Sequence, residues 1–234
     1  MKTFKWAAVY LLSFGLACSA VAARPYRVEI VPWDPAVKFP WFESPGVITD
    51  AGIVTGDELD AGYGPERGFI YYGGVVHDLA PVLGGDGDSG AGGVNNRLQA
   101  SGCSWWPSGS FPYECACVWQ NGIAQFLPLP SGAVGSYGGS INNLGVVAGS
   151  TYYPDGSERA AIFRSNWVSE IPGLSANWSY ATQINDRCQV IGVTADSTGA
   201  DRAFFWNGKV MKDLGTLGGR GADAYAMSGG IVVG

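Results

Sequence analysis

The chain has 234 residues, with 36 Gly, 13 Pro, 15% charged and 13% aromatic side chains. That balance is too apolar and aromatic for a disordered chain and too rich in Gly and Pro for a mainly helical one. What remains is many short strands joined by turns, and a formal charge of −6 with no basic cluster argues against a nucleic-acid binder or an anionic membrane surface.

In chain order, residues 1–23 read as a secretory signal. Lys2 and Lys5 precede an apolar run from Trp6 to Leu16. Ala20-Val21-Ala22 and Val21-Ala22-Ala23 both present small-x-small cleavage sites. Cleavage is expected after Ala23. An uncleaved membrane anchor is the alternative, because residues 6–23 are nearly long enough to span. A lipoprotein signal fits less well, since the Leu before Cys18 stands one place off the usual position. Loss of Lys2 and Lys5 takes the charge from −6 to −8. Residues 24–46 read as an N-terminal strand, Tyr26 to Val31, and a linker.

Residues 47–234 form a repeat domain. The segments ending at Gly56, Gly102, Gly149, Gly192 and Gly234 align, with 46, 47, 43 and 42 residues between successive glycines. An aromatic residue follows each of the first four: Tyr71, Trp119, Phe163 and Trp206. Asp78-Leu79 and Asp213-Leu214 each precede a Leu-Gly-Gly. The fourth copy reads as four strands, Ser179 to Ile184, Gln189 to Ala195, Asp201 to Trp206 and Lys209 to Leu214. Asn185-Asp186 and Asn207-Gly208 make its turns. Four antiparallel strands in a unit of this size predict an all-β chain, a β-propeller of four-stranded blades, with a β-solenoid or sandwich as the alternative. Four copies are full and a fifth is partial. The ring is expected to be either incomplete or five-bladed, and the sequence to be truncated within the fifth copy. The glycine of each second strand is expected to let neighbouring sheets approach, and the recurrent aromatic to fill the gap between them.

The series Asn-x-x-Gly-x-Val-x-Gly, x-Ala-Phe-x-Trp and Asp-Leu-Gly-x-Leu-Gly-Gly resembles the bacterial extracellular HAF repeat family from about residue 47 to the end. The best copy runs from Asn185 to Gly192, then Arg202-Ala203-Phe204-Phe205-Trp206, then Asp213 to Gly219. The family's His-Ala-Phe tripeptide reads Arg67-Gly68-Phe69, Cys115-Ala116-Cys117, Arg159-Ala160-Ala161 and Arg202-Ala203-Phe204, with His in none. The resemblance implies a place outside the cytoplasm and a propeller-like fold, and it implies no activity.

Candidate sites are few. In an oxidising compartment Cys103 is expected to bridge Cys115 or Cys117, with Cys115 preferred; a cysteine metal site fits the spacing poorly. His77, the single histidine, reads as an outer-strand surface residue. Asp86, Asp88 and Asp78 have calcium-ligand chemistry in a Gly-rich loop whose plainer reading is a polar connection. Asp57, Glu58 and Asp60 read as a solvated acidic loop. No Gly-x-Ser-x-Gly elbow is present, and of the candidate inner strands only the last carries an acid, Asp223. The remaining lead is Trp105, Trp106, Phe111 and Tyr113, a loop of aromatics suited to a polysaccharide or protein surface.

The expected function is therefore a secreted, periplasmic or cell-surface binding protein without catalytic residues, metal or cofactor. A structural surface repeat is the alternative, and an extracellular hydrolase ranks third. N-terminal sequencing of the exported protein should begin at Arg24; a chain still starting at Met1 would point to the anchor instead.

Overall fold

A computed structural model of the chain describes residues 46–59, 66–83, 87–105, 114–175 and 178–234. The signal and the Tyr26–Val31 segment lie outside the described residues, as do Trp106, Phe111 and Tyr113.

The described strands form five antiparallel sheets, each built from consecutive strands. Sheet 1 holds β1 (Val54–Leu59), β2 (Glu66–Tyr72) and β3 (Val75–Leu79). Sheet 2 holds β4 (Ser89–Val94), β5 (Gln99–Trp105), β6 (Glu114–Gln120) and β7 (Ile123–Phe126). Sheet 3 holds β8 (Gly135–Ile141), β9 (Val147–Tyr152), β10 (Glu158–Arg164) and β11 (Trp167–Glu170). Sheet 4 holds β12 (Ser179–Ile184), β13 (Val190–Ala195), β14 (Asp201–Trp206) and β15 (Met211–Asp213). Sheet 5 is a pair, β16 (Ala226–Ser228) and β17 (Ile231–Val233). In sheet 1 the place of the first strand falls to residues 46–48, where Ile48 bridges Val54 and Thr55 N donates to Val47 O.

The repeat found by spacing is thus a repeat of sheets, and the fourth copy's strands lie where its pattern puts them. Its turn chemistry is also as read. The Asn185 side-chain oxygen accepts from the backbone N–H groups of Arg187 and Gln189, and Asn95 and Asn142 do the same in their own copies. The left-handed angle falls three residues later, at Gly52, Leu98, Gly145, Cys188 and Gly230. Leu98 and Cys188 hold it without being glycine, at a cost of about 1 kcal/mol each.

The core lies between sheets rather than within one. Ile53, Ile70 and Leu79 of sheet 1 meet Ala91, Ala100 and Trp119 of sheet 2. Ala116 and Leu127 of sheet 2 meet Ile141, Val147 and Phe163 of sheet 3. Val146, Ala160 and Ile162 meet Ile184, Val190 and Phe204 across the next crevice, and Ile191 and Ala203 meet Ala224 across the last. Trp119 and Phe163 are fully buried at these contacts. Trp119 and Phe163 fill their gaps as expected, and Trp119 also donates its indole N–H to Ala80 O next to sheet 1, at 2.6 Å; in the fourth copy Trp206 is only half-buried and Phe204, two residues earlier, is the fully buried ring.

The role expected of the second-strand glycines needs correcting. A Cβ on Gly102, Gly149 or Gly192 would stand 1.8, 1.9 or 2.1 Å from the carbonyl oxygen of Gly90, Tyr137 or Tyr180. Those oxygens belong to the first strand of the same sheet. They are pushed inward next to a register shift in β4, β8 and β12. The glycines therefore make room for a β-bulge. Close approach between sheets is left to first-strand glycines, as where a Cβ on Gly92 would meet Gly138 O at 2.3 Å.

Two polar links repeat across the crevices. Buried Ser89, Ser136 and Ser179 each take a backbone N–H from the preceding sheet, from Gly68, Ala116 and Ala160 at 3.3, 2.9 and 3.0 Å. These donors are the middle residues of the tripeptides. At the turn end, Asn95 Nδ2 donates to Asn142 O and Asn142 Nδ2 to Asn185 O, at 2.8 and 2.9 Å. Ser136→Ala would leave a buried N–H unmet and should lower stability by about 1–3 kcal/mol. Gly149→Ala should cost ~3 kcal/mol through the clash with Tyr137 O. Urea unfolding of the two variants reads both.

Candidate functional site

Trp105 ends β5 and is half-buried, with its ring over Gly90: a Cβ there would lie 3.2 Å from Cη2. The loop that follows carries the other three predicted aromatics and falls outside the described residues.

The expected Cys103–Cys115 bridge is not formed. The register explains this. Cys103 pairs with Ala116, so it shares that residue's face, which looks toward sheet 3. Cys115 and Cys117 flank Ala116 and point to the other face. Burial pushes the Cys103 thiol up, and it hydrogen-bonds Glu114 rather than a second sulfur.

Three further expectations have structural outcomes. His77 is an exposed residue of β3, stacked on Tyr72 with ring centroids 4.2 Å apart. Asp57 is not a solvated loop residue: it is buried in β1 and accepts the Ala91 N–H of sheet 2 at 2.6 Å. Asp88 accepts Glu66 N at 2.9 Å, so its carboxylate is engaged in holding two sheets together.

Sequence reading missed a row of carboxylates. Glu66, Glu114, Glu158 and Asp201 each begin the third strand of their sheet. Their spacing follows the repeat and was available as a signal, but each stands next to a loop of different length and composition. They head the same end of the sheets as Trp105. Glu114 pairs directly across from Trp105, and Glu158 bridges Trp178.

Burial raises the Glu114 carboxyl above the usual glutamate range, against the pull of hydrogen bonds from Tyr152 and Cys103. Burial raises Glu158 too, against a hydrogen bond from Ser150. Burial likewise pushes the Tyr137 and Tyr152 hydroxyls far above their ordinary range. For Glu170 burial pushes upward, but hydrogen bonds from Tyr153, Thr151 and Arg159 outweigh it and hold the group low. Arg159 pairs with Glu170 at 3.2 Å and lies 4.3 Å over the Tyr153 ring.

A groove of about 370 Å³ opens beside these groups, at the connection from sheet 3 to sheet 4. Glu158, Arg159, Glu170, Pro172, Ser175 and Trp178 line it. Trp178 stacks on Tyr180, with centroids 5.9 Å apart and planes 13° apart. Glu158 and Glu170 are not a facing pair. Glu170 is registered against Ala161, three residues on from Glu158, so the two carboxylates leave sheet 3 from opposite faces.

No family model matches the chain, and no curated protein matches it. Two solved structures are similar in fold. The β-propeller domain of the Trilobed protease from Pyrococcus furiosus superposes with a TM-score of 0.52 at 12% identity, over 74% of this chain and 52% of that one. The Pyrococcus horikoshii acylaminoacyl peptidase gives 0.52 at 13%, over 75% of this chain and 27% of that one. The fold is β-propeller-like. The sheets are its blades, and the chain spans about half and about a quarter of the two structures it resembles.

A carboxyl whose pKa is raised on folding stabilises the protein fully below its unfolded pKa. That contribution is lost as pH rises through the folded value. Glu114→Gln should therefore flatten the fall in stability that the wild type shows as pH climbs above about 4.3. Urea midpoints of both proteins between pH 4 and 7 measure the difference. Parallel curves would mean that burial does not raise the Glu114 carboxyl.

Proposed function

We propose that the chain is a secreted or surface-displayed binding propeller of the HAF repeat type, which takes a polysaccharide or protein ligand at the end bearing Trp105. One observation carries the reading. Twice, in neighbouring blades, a half-buried indole stands beside a glutamate partly withdrawn from water: Trp105 with Glu114, and Trp178 with Glu158. An aromatic face with a hydrogen-bonding carboxyl at its edge is the pairing that amphipathic ligands use.

The repeat series supports the family assignment, and the apolar leader with its small-x-small sites supports export. The blades form an arc that is either incomplete or five-bladed. In sequence, Trp106, Phe111 and Tyr113 follow Trp105 in the β5–β6 connection. The peptidase activities named for the two similar structures belong to those proteins.

Titration of soluble polysaccharides, and of cell-surface protein extracts, against tryptophan fluorescence tests the reading. Binding should quench or shift the emission, and Trp105→Ala with Trp106→Ala should weaken it at least about tenfold. Emission unchanged by every candidate, with no material retained on the immobilised protein, would remove the binding role.

A further inference from the structure

The repeat lets one crevice be compared with the next. Between blades 2 and 3, the Glu114 carboxyl is met by the hydroxyl of Tyr152 and the thiol of Cys103. Glu114 belongs to blade 2 and Tyr152 to blade 3. The Tyr152 ring reaches it by lying across Gly135, where a Cβ would stand 3.2 Å from the ring's Cδ2 and 3.1 Å from Glu114 O.

The crevice between blades 3 and 4 has the same frame. Glu158 takes the place of Glu114, and Ser150 that of Cys103, since Cys103 pairs with Ala116 and Ser150 with Ala160. Ser150 bonds Glu158 as Cys103 bonds Glu114. The other partner is different. Tyr152 pairs with Glu158 at the end of its strand, and the residue pairing with Asp201 at that point in blade 4 is Ala195. Gly135, which precedes Ser136, corresponds to Trp178, which precedes Ser179. Blade 4 thus supplies no counterpart of Tyr152 from that position, while Tyr152 itself is registered against Glu158 and its hydroxyl takes a hydrogen bond from Ser150 at 3.5 Å; the indole of Trp178 lines the groove of about 370 Å³ beside Glu158.

We propose that this groove is a carbohydrate subsite, in which one neutral pyranose lies beside Glu158 and against Trp178. A sugar hydroxyl donates to the Glu158 carboxyl. Trp178 offers an apolar surface to the C–H face of the ring. The Arg159–Glu170 pair presents both donors and acceptors to the remaining hydroxyls. Two carboxylates against one guanidinium on the walls select a neutral sugar over a uronic acid. The proposal rests on the reading of the chain as a binding propeller and names a ligand class and a site for it.

The test is ¹⁹F NMR of the full chain labelled with 5-fluorotryptophan, with Trp178→Ala used to assign the Trp178 signal. Neutral gluco-, xylo- and manno-oligosaccharides are titrated to about 10 mM, with an oligogalacturonate as the anionic control. The Trp178 signal should shift and saturate with a neutral oligosaccharide and not with the control. Glu158→Gln should weaken that binding about tenfold. Glu158→Gln keeps the test decisive if Trp178→Ala fails to fold. A Trp178 signal that stays still, or that responds equally in Glu158→Gln, overturns the subsite. If only Trp105 or Trp106 responds, the subsite falls and the binding role stands. If no tryptophan responds and no protein ligand is retained, both fall.

Discussion

Everything in this chain depends on the fact that no four-stranded sheet of this size can bury both of its faces alone. Each blade exposes one apolar face until the next covers it, and the largest buried side chains, Trp119, Phe163 and Phe204, sit in clusters drawn from two adjacent blades. Apolar packing provides the driving force but tolerates sliding. The serine links fix the spacing: a hydroxyl on the first strand of one blade takes a backbone N–H from the third strand of the blade before it. That bond meets a buried polar group that would otherwise be costly, so it ties register to burial.

Much of this was legible in the sequence, because a sheet repeat imposes glycine, turn and aromatic positions that recur at one period. The strands of the fourth copy, the Asn turns and the inter-blade rings Trp119 and Phe163 could be read directly, whereas in the fourth copy the buried ring is Phe204 and not the expected Trp206. Those signals depend on backbone geometry and side-chain bulk, which hardly vary with context. The glycine at the end of each aligned segment was found correctly but explained wrongly. Its position is fixed by a bulge in the strand beside it, and a bulge leaves no composition of its own. The serines were overlooked for a similar reason: a single Ser in a strand carries no chemistry until the N–H it meets is known.

The site was less legible than the fold. A disulfide was expected from three cysteines close in sequence, but strand alternation sends Cys103 to one face and Cys115 and Cys117 to the other. The acidic reading failed at Asp57, where the carboxylate is buried against the Ala91 N–H. Composition alone made it a loop residue. The carboxylates at the heads of the third strands matter because of what faces them across a crevice. That relation joins residues about one repeat apart, and the resemblance to known folds below 15% identity adds nothing to it.

The asparagine ladder at the other end has a direction. The side-chain amides of Asn95 and Asn142 reach forward to the following blade's carbonyl, and their own oxygens are committed to the local turn. At the first aligned position Thr49 has no amide to give, and at the fifth Met227 meets Asn185 through sulfur, at 3.8 Å. Interior copies are therefore interchangeable in a way that outer ones are not. Duplicating an interior unit would extend the dipole chain in the same sense, whereas moving either flank inward would interrupt it. Such polarity gives the row of sheets a direction, and sets an order in which further units can be inserted without breaking the line.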